Sequence, residues 1–435
     1  MNSLHSRSSE AASTAPTRCH LTLPATCAHP APCGHPCDLN LGPERHSILD
    51  LGNLARLAVM IEPAGRGPFA QQARELFAQL HCLALRGEKA MTPTTMMVFL
   101  RDAADEGECR RIIQTQFGQL APVTGYVVQP PCSGAALGVE LWAAGGPEAK
   151  VVRHGPQVIS TEADGIRWVH CGDIRGEIGP DGAYRESVTA FHDLDKQLKT
   201  AGVSFEQVVR TWIYVNQITE GADGHQRYQE LNRARTEFFD EQTLCAQNRA
   251  PQAPANIYPA STGIGTQGGG IVLHALALDT RRPDVFVMPL ENPQQTSAYD
   301  YGKMYSPKSP KFSRAMAVVQ GHFVTTLVSG TASIVNARSV HLGDIVRQTE
   351  QTIENIEKLI APDNFARHGM PDAGATLRDV AKLRVYVKHV EDYKRCREVC
   401  ERRLPGIPVI YLHADVCRPD LLVELEAVAF SPRHA

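Results

Sequence analysis

The stretch Cys417–Glu426 contains residue types that could perform acid chemistry. Val423 and Leu425 alternate there with Glu424 and Glu426, which is the period-two pattern of a strand whose two faces differ. We expect the apolar residues to pack on a core and the glutamates to share the opposite face, which is either solvent or a cleft. A carboxyl group in a partly apolar cleft has a raised pKa and could act as a general acid. Two solvated carboxylates on an edge strand are the alternative.

The composition limits the possible classes of function. The chain has 435 residues and a formal net charge of -3, and at about 150 residues per domain this length predicts roughly three units. The near-neutral balance gives no electrostatic reason to expect nucleic acid or a membrane surface as partner. The sequence has neither the ~18-residue apolar run of a membrane span nor the core of a signal peptide. We expect a cytoplasmic protein, because most cysteines after the tail are scattered singly, as in reduced proteins.

Residues 1–45 are predicted to be a disordered tail. They are rich in Ser, Ala, Pro and Thr, a composition that cannot form a core. Soft metal ligands also occur there at irregular spacings that match no zinc pattern, so a metal or targeting role is the alternative. These ligands are Cys19, Cys27, Cys33, Cys37, His20, His29 and His35.

The rest of the chain repeats one order of elements, β-β-α-β-α-β-β, three times. We place a degenerate first copy at 46–148, a second at 149–280 and a third at 312–435. The segment 281–311 between the last two is long for a connection and is predicted to be a lid or a cleft wall. The fold class is therefore α+β, with three copies forming a pseudo-trimer whose sheets pack inward and leave clefts between the copies.

The third copy shows the element pattern most clearly. Helical spacing of apolar residues from His341 to Ile360 predicts an amphipathic helix. A second helix is expected at Val390–Arg403, after a strand at Val380–Val387. The remaining strands are predicted as a pair within Phe312–Val335 and as closing strands at Val409–Ala414 and Leu422–Phe430.

Differences between the copies favour a functional Glu424. The third copy alone combines a glutamate at this place in the closing strand with Cys417 just upstream. The first copy has Glu140 in its closing strand, whereas the middle copy has the apolar pair Val272-Leu273. Glu426 falls on the same strand face and is the next candidate.

Several cationic and aromatic side chains could bind a dianionic substrate. Arg314, Arg397, Arg235 and Lys308 are candidates for its carboxylates, because arginine pairs with carboxylates through two parallel hydrogen bonds. Tyr214, Tyr305 and Tyr386 could donate further hydrogen bonds, although solvated arginines and core tyrosines are the alternatives. The glycines from Gly263 to Gly270 lie between two predicted strands, which is the wrong context for a dinucleotide loop. We expect no metal site in the folded region and no cofactor.

Two resemblances add to this interpretation. A single repeat resembles the small trimeric enamine/imine deaminases of the Rid type, whose fold is called chorismate-mutase-like. Their substrate-binding arginine falls in a stretch matched here by Pro408–Tyr411, where Val409 cannot bind a carboxylate. Residues from about Tyr126 to Phe430 more specifically resemble the chorismatase family. The matching blocks are Arg210–Tyr214, Pro259–Gly265, Glu291–Pro293, Tyr305–Pro307, Phe312–Ala315, Ser329–Ala332, His341–Asp344 and Asp420–Glu424.

The chorismatase resemblance implies that Glu424 is the catalytic acid and that Gly330 lines the pocket. It implies for Cys417, our second catalytic candidate, that it shapes the pocket or assists proton transfer. Branches of the family that add water to the ring tend to have alanine at both of these last positions. Glycine and cysteine resemble the branch that forms 3-hydroxybenzoate and pyruvate from chorismate, without a cofactor. A hydrolytic chorismatase, a mixed 3-/4-hydroxybenzoate producer and a non-enzymatic carboxylate-binding protein are the alternatives. Because a pseudo-trimer closes its own ring, we expect a monomer.

Overall fold

The computed structural model describes residues 45–433, apart from 52, 87–90, 180–181, 222–225, 246–247, 255–256 and 303–305. The predicted N-terminal tail and Tyr305 therefore lie outside the described residues. No helix in the described part of the chain is long and apolar enough to cross a membrane.

The first sheet has five strands in the order β1-β2-β5-β3-β4. Helices α1 and α2 pack their apolar side chains, such as Phe77 and Ile113, on one face of it. Strands β1 and β2 were not predicted from the sequence, because β2 is buried on both faces and its continuous apolar run shows no period of two. The elements are β1 His46–Asp50, β2 Ala55–Ile61, α1 Phe69–Arg86, β3 Met91–Leu100, α2 Glu106–Phe117, β4 Val123–Val128 and β5 Leu137–Gly145.

The second sheet has six strands in the order β10-β9-β11-β8-β7-β6. Strand β9 lies parallel to β10 and antiparallel to β11. Helices α3 and α4 cover one face, where Phe191, Phe238 and Phe239 form part of the core. The elements are β6 Lys150–Gly155, β7 Val158–Ala163, β8 Ile166–Arg175, α3 Gly182–Thr200, β9 Val208–Asn216, α4 Arg227–Asp240, β10 Ala260–Thr266 and β11 Ile271–Thr280.

The third sheet has six strands in the order β12-β13-β14-β19-β17-β18. Strand β12 lies in the segment 281–311 that was expected to be only a connection, and it pairs with β13 along its whole length. Helix α5 begins at Ile345 rather than His341, because the Asp344 side chain accepts a hydrogen bond from the Arg347 backbone N–H and caps the helix there. The elements are β12 Val285–Leu290, β13 Ala315–Gln320, β14 Phe323–Ala332, β15 Ile334–Val335, β16 Arg338–Ser339, α5 Ile345–Ile360, α6 Pro362–Arg367, β17 Val380–Val387, α7 Tyr393–Arg403, β18 Val409–His413 and β19 Val423–Pro432.

Fold class α+β is confirmed, and the pairing registers relate the three sheets to one another. Phe99, Tyr214 and Tyr386 face Gly138, Val272 and Glu424 across the central strand pairs. Two residues further along, the corresponding positions are Glu140, His274 and Glu426. Glu140 therefore corresponds to Glu426 and not, as the sequence suggested, to Glu424. At the position of Glu424 the other two sheets have glycine and valine.

The faces of the sheets opposite the helices meet around a buried network of charged side chains. Glu140 of the first sheet accepts hydrogen bonds from Lys382 Nζ at 2.8 Å and Arg384 Nε at 2.6 Å. Arg384 Nη1 also lies 2.9 Å from Glu426 Oε1, and Glu426 Oε2 accepts from Arg210 Nη2 of the second sheet at 2.9 Å. Although burial favours the neutral acid, Arg384 and Lys382 lower the pKa of Glu140 to about 2. One chain of ion pairs therefore joins all three sheets.

Glu140→Gln should strongly destabilise the protein. The variant leaves Lys382 and Arg384 in a site where their side chains are 2–3% exposed and without this carboxylate, a loss that costs about 3–5 kcal/mol in buried pairs. Glu401→Gln is the matched control, because Glu401 pairs with Arg397 on the surface and such pairs contribute about 0–1 kcal/mol. Urea unfolding followed by circular dichroism measures both. Equal shifts of the two midpoints would contradict a stabilising role for the network.

Candidate active site

Glu424 lies near the start of β19, where the second and third sheets meet. Its strand partners are Ala332 of β14 and Tyr386 of β17. The alternation along β19 places Glu424 on the same face as Glu426, away from the core under α5. The side chain is almost fully buried, with the residue 4% exposed, yet it lines a cleft. Of the two alternatives for this strand face, solvent or a cleft, the structure therefore has a cleft at Glu424.

Gly330 makes room for the Glu424 carboxyl group. It lies in an irregular part of β14, between Val328 and Thr331, where the pairing with β19 shifts register. A Cβ atom built on Gly330 would lie 2.1 Å from Glu424 Oε1 and 3.2 Å from Thr262 Cγ2. Any other residue would therefore push the carboxyl group away from its present position.

The two glutamates on this face have opposite pKa shifts. Burial, and then the negative charge of Glu426, raise the pKa of Glu424 to about 8, although Arg210 and Arg314 partly oppose both effects. Burial also disfavours ionised Glu426, but Arg384, Arg210 and Lys382 outweigh it and lower the pKa of that group. Near neutral pH, Glu424 therefore carries a proton beside an ionised Glu426. A buried acid of this kind can donate a proton to a bound molecule.

The hydrogen bonds of Glu426 explain why the two residues differ. Its Oε1 accepts from Trp212 Nε1 at 3.0 Å, and its Oε2 accepts from the Thr262 hydroxyl. Together with Arg210 and Arg384, these groups provide four donors for one carboxylate. A carboxylate so held is a fixed charge and a poor proton donor.

The cleft in front of Glu424 encloses about 1960 Å³ of space, including the solvent at its mouth. Its walls come from α4 and β10 of the second sheet unit and from β14, β16 and the segment before β19 of the third. Tyr301, Ser306 and Pro310 of the segment 281–311 form part of the wall. The other lining residues are Gln226, Tyr228, Gln229, Arg235, Ser261, Gly263, Phe312, Arg314, Gly330, Ala332, Ile334, Arg338, Ser339, Cys417, Arg418, Pro419 and Asp420.

Two predicted arginines lie in this cleft with donor groups still available. Arg314 Nη2 donates to the carbonyl oxygen of Thr296 at 3.1 Å and to the Tyr301 hydroxyl. Arg235 Nη2 donates to Asn232 Oδ1 at 2.6 Å. The Nε atoms of both arginines are buried and have no hydrogen-bond partner among the described residues. Both guanidinium groups at the cleft wall therefore have hydrogen-bonding capacity that the described residues do not use.

Phe312 lies close to both cations. Its ring centroid is 5.4 Å from Arg314 Cζ and 5.8 Å from Arg235 Cζ. The ring thus adds an apolar surface beside the guanidinium groups, on which a planar ligand could rest.

Cys417 also lines the cleft. Burial, and then the charge of Glu424, raise the pKa of its thiol to about 12, although Arg418 and Arg314 partly oppose them. The thiol is therefore protonated near neutral pH and is a poor nucleophile. Its position suits the predicted role in shaping the pocket.

Sequence reasoning missed several lining residues, including Tyr228, Tyr301, Arg338 and Arg418. Arg418 directly follows Cys417, so its position in the chain could have identified it. Its Nη1 donates to the carbonyl oxygen of Ala337 at 2.9 Å. Tyr228 and Tyr301 come from parts of the chain whose approach to β19 depends on how the sheets pack. No local pattern reveals such a contact.

Four predicted site residues lie elsewhere. Arg397 is on the outer side of α7, 51% exposed in its side chain, and pairs with Glu401, because its helix faces a different surface depression. Lys308 is exposed in a depression next to the cleft, which shares Tyr301 with it. Tyr214 accepts a hydrogen bond from Arg384 Nη1 at 2.9 Å in the protein centre. Tyr386 pairs with Glu424 across the strands but is fully buried in the apolar core.

No group of three or more His, Cys, Asp or Glu side chains in the described ranges is arranged to hold a metal ion.

Glu424→Gln should make the protein more stable, and the gain should grow with pH. The pKa of Glu424 is about 8 in the folded protein and about 4.3 in an unfolded chain. Between these values the unfolded state releases a proton that the folded state keeps, so the free energy of unfolding falls as pH rises. Glutamine removes this dependence. Thermal unfolding at pH 5 to 8, with the exposed Glu398→Gln as control, should show a difference that is small at pH 5 and largest at pH 8. A difference independent of pH would contradict the buried neutral acid.

Comparisons with known proteins place the chain in a family. A family model for the N-terminal part of FkbO/Hyg5-like chorismatases matches residues 140–277. A 3-hydroxybenzoate synthase from Streptomyces hygroscopicus is 36% identical over 277 residues, which are 61% of this chain and 77% of the relative. A crystal structure of a chorismatase superimposes with a TM-score of 0.61 at 26% identity, covering 86% of this chain and 98% of the other.

A RutC family protein from Pyrococcus abyssi is 31% identical over 134 residues, which are 29% of this chain and 94% of the relative. This shorter match agrees with the predicted likeness of one repeat to Rid-type proteins. The longer matches span most of the described units, and they identify the chain as a member of the chorismatase family.

Proposed function

We propose that this protein cleaves chorismate to 3-hydroxybenzoate and pyruvate, with Glu424 as the general acid. The observation that carries the proposal is the pairing of a buried, protonated Glu424 with two buried arginines that still have donors to offer in the same cleft. Chorismate fits this arrangement, because it has two carboxylates and one acid-sensitive enol ether. The names of the relatives, a 3-hydroxybenzoate synthase and a chorismatase, support the same reaction.

The proposed reaction balances without water or a cofactor. Glu424 donates its proton to the methylene carbon of the enolpyruvyl group, and the ether bond to the ring then breaks as pyruvate leaves. The neighbouring ring hydroxyl oxygen takes the vacated position through an arene-oxide-like intermediate and loses its proton, which returns to Glu424. Opening of this intermediate restores the aromatic ring as 3-hydroxybenzoate. The atoms of chorismate are therefore all accounted for in 3-hydroxybenzoate and pyruvate.

Arg314 and Arg235 are proposed to bind the substrate carboxylates. Both are nearly inaccessible to bulk solvent, so their hydrogen bonds to an anion are strengthened by the low local dielectric. Arg418 and Arg338 add two more guanidinium groups to the cleft wall. Four cations face only Glu424 and Asp420 among the carboxyl groups that line the cleft, which favours an anionic substrate.

The product branch is proposed from Gly330 and Cys417. Because a Cβ atom on Gly330 would collide with the Glu424 carboxyl group, an alanine there must shift the acid relative to the ring. Glycine leaves the acid close to β14 and leaves space in front of it. We propose that this space lets the substrate's own hydroxyl, rather than water, complete the reaction.

We also propose that the three sheet units are copies of one Rid-type repeat around a pseudo-three-fold axis, which would make a monomer sufficient. The matching strand orders and registers support this. On this proposal the first copy is complete, since β1 and β2 supply its opening strand pair. Light scattering at several protein concentrations tests the expected monomer.

Incubation of the full chain with chorismate in chelator-treated buffer tests the reaction. Chromatography should show 3-hydroxybenzoate with an equal amount of pyruvate, and Glu424→Gln should abolish turnover while leaving chorismate binding within a few-fold. If the product is instead the dihydroxycyclohexadiene carboxylate of a hydrolytic chorismatase, or 4-hydroxybenzoate, the assignment of the product is wrong but chorismate cleavage still holds. Chorismate that is bound but decays only at its spontaneous rate would instead favour the carboxylate-binding protein.

Gly330→Ala should lower kcat by roughly 100-fold, the size of effect that a misplaced catalytic group produces. It should also increase the fraction of the product formed by adding water to the ring, because the Glu424 carboxyl group and the substrate ring no longer meet in the same geometry. Gly107→Ala is the control, since a Cβ atom at Gly107 meets nothing within 4 Å. Steady-state rates and product ratios are measured for both variants and compared with those of the unchanged protein. Unchanged kcat and products in Gly330→Ala would contradict the proposed role of this glycine.

A further inference from the structure

A second cavity lies at the centre of the protein, where the three sheets face one another. The centres of water-sized molecules could occupy about 90 Å³ of it, and it shares no lining residue with the cleft at Glu424. The first sheet contributes Arg56, the second Trp168 and the third Phe430. Nothing in the proposed reaction uses this space.

Arg56 brings a positive charge into this cavity that no carboxylate neutralises. Its guanidinium carbon lies 4.8 Å from the centre of the Trp168 ring, and no carboxylate among the described residues lies within ion-pair distance of it. By contrast, Glu140 and Arg384, which also line the cavity, are paired with each other. Arg56 is half-buried, and a cation partly removed from water without an ion pair is stabilised by an anion bound beside it.

The other ionisable groups in the cavity wall do not offset this charge. Burial, and then the positive charge of Arg56, lower the pKa of His170 to about 3. Burial and Arg384 do the same for His274. Both histidines are therefore neutral near pH 7, and the cavity keeps the charge of Arg56.

Trp168 provides a second polar group without a partner. The residue is 3% exposed, and its indole N–H has no acceptor among the described residues. Indole N–H groups usually find a partner when buried. Arg56 lies over the face of the Trp168 ring and the indole N–H lies in the ring plane, so an acceptor group with two oxygen atoms, such as a carboxylate, suits the two donors better than a single atom.

The rest of the cavity wall favours a ligand in which the hydrogen-bond acceptor is attached to a flat apolar group. The rings of Trp142, Trp212 and Phe430 line the cavity together with aliphatic side chains such as Leu276 and Val428. Aromatic rings of a ligand stack well on such surfaces. An inorganic anion would leave this apolar surface uncovered.

We propose that the central cavity is a binding site for a small aromatic carboxylate, with Arg56 pairing to the carboxylate and the Trp168 indole N–H as a further donor. The class includes the aromatic product proposed above, but the site is inferred from the cavity and does not depend on that reaction. Its ligand would connect all three sheets at their meeting point.

Isothermal titration of the full-length protein with benzoate tests the proposal, with Arg314→Gln used to weaken binding in the cleft. In the Arg314→Gln background one binding event should remain. Adding Arg56→Gln should weaken that event roughly 10- to 100-fold, and adding Trp168→Phe about tenfold, as expected for lost hydrogen bonds to a charged group. Arg56→Lys should retain part of the affinity. Circular dichroism and thermal unfolding establish that each variant is folded.

Two results would overturn the proposal. One is loss of all benzoate binding in Arg314→Gln alone, which would place the only site in the cleft. The other is a remaining event that neither Arg56→Gln nor Trp168→Phe affects. Repeating the titration with 3-hydroxybenzoate and with chloride separates the ligand classes, because the proposal requires both aryl carboxylates to bind and chloride to compete poorly. Since Trp168→Phe changes only one N–H and ring size, it serves as the test if Arg56→Gln does not fold.

Discussion

The ionised carboxylate of Glu426 is the group on which both the assembly of the sheets and the chemistry of the cleft depend. It belongs to the third sheet and accepts hydrogen bonds from Arg210, Trp212 and Thr262 of the second. Through Arg384 it is linked to Glu140 of the first. Buried ion pairs often add little net stability but are costly to break. The network therefore specifies how the sheets meet more than it strengthens the fold.

The same charge helps to keep Glu424 protonated, as its proposed role of general acid requires. Two glutamates separated by one residue on a strand face would titrate alike in water, and here their surroundings drive their pKa values apart. Glu426 has four donors, whereas Glu424 has a buried position, a negative neighbour and the space left by Gly330. Divergent pKa values in a pair of carboxyl groups are a frequent basis of acid catalysis. The fold thus keeps Glu424 protonated by burying it and placing a negative charge beside it.

Sequence periodicity was enough to predict the elements that carry this site, but not their partners. The alternation around Glu424 and the strand Val380–Val387 both agree with the structure. Strands β2 and β12 were missed for different reasons. Burial of β2 on both faces hides the period of two, and β12 lies in a segment that was expected to be only a connection. Arg397 was selected for its residue type, yet which face of α7 turns outward depends on tertiary packing. Tyr228 and Tyr301 reach the cleft through contacts distant in sequence, which one sequence does not reveal.

The registers explain why a buried neutral acid with space around its carboxyl group occurs in one sheet and not in all three. In the second sheet, β8 has a register shift at the same point as β14, and Asp173 takes the place of Gly330 there. Asp173 does not open a space, because it forms ion pairs with Arg110 at 2.7 Å and Arg175 at 3.0 Å. The neighbouring strand β11 lacks an acid as well, since Val272 stands there at the position of Glu424. The first sheet has Gly138 at that position. An acid and the space to hold it must occur together across one strand pair, and among the three sheets only β14 and β19 provide both.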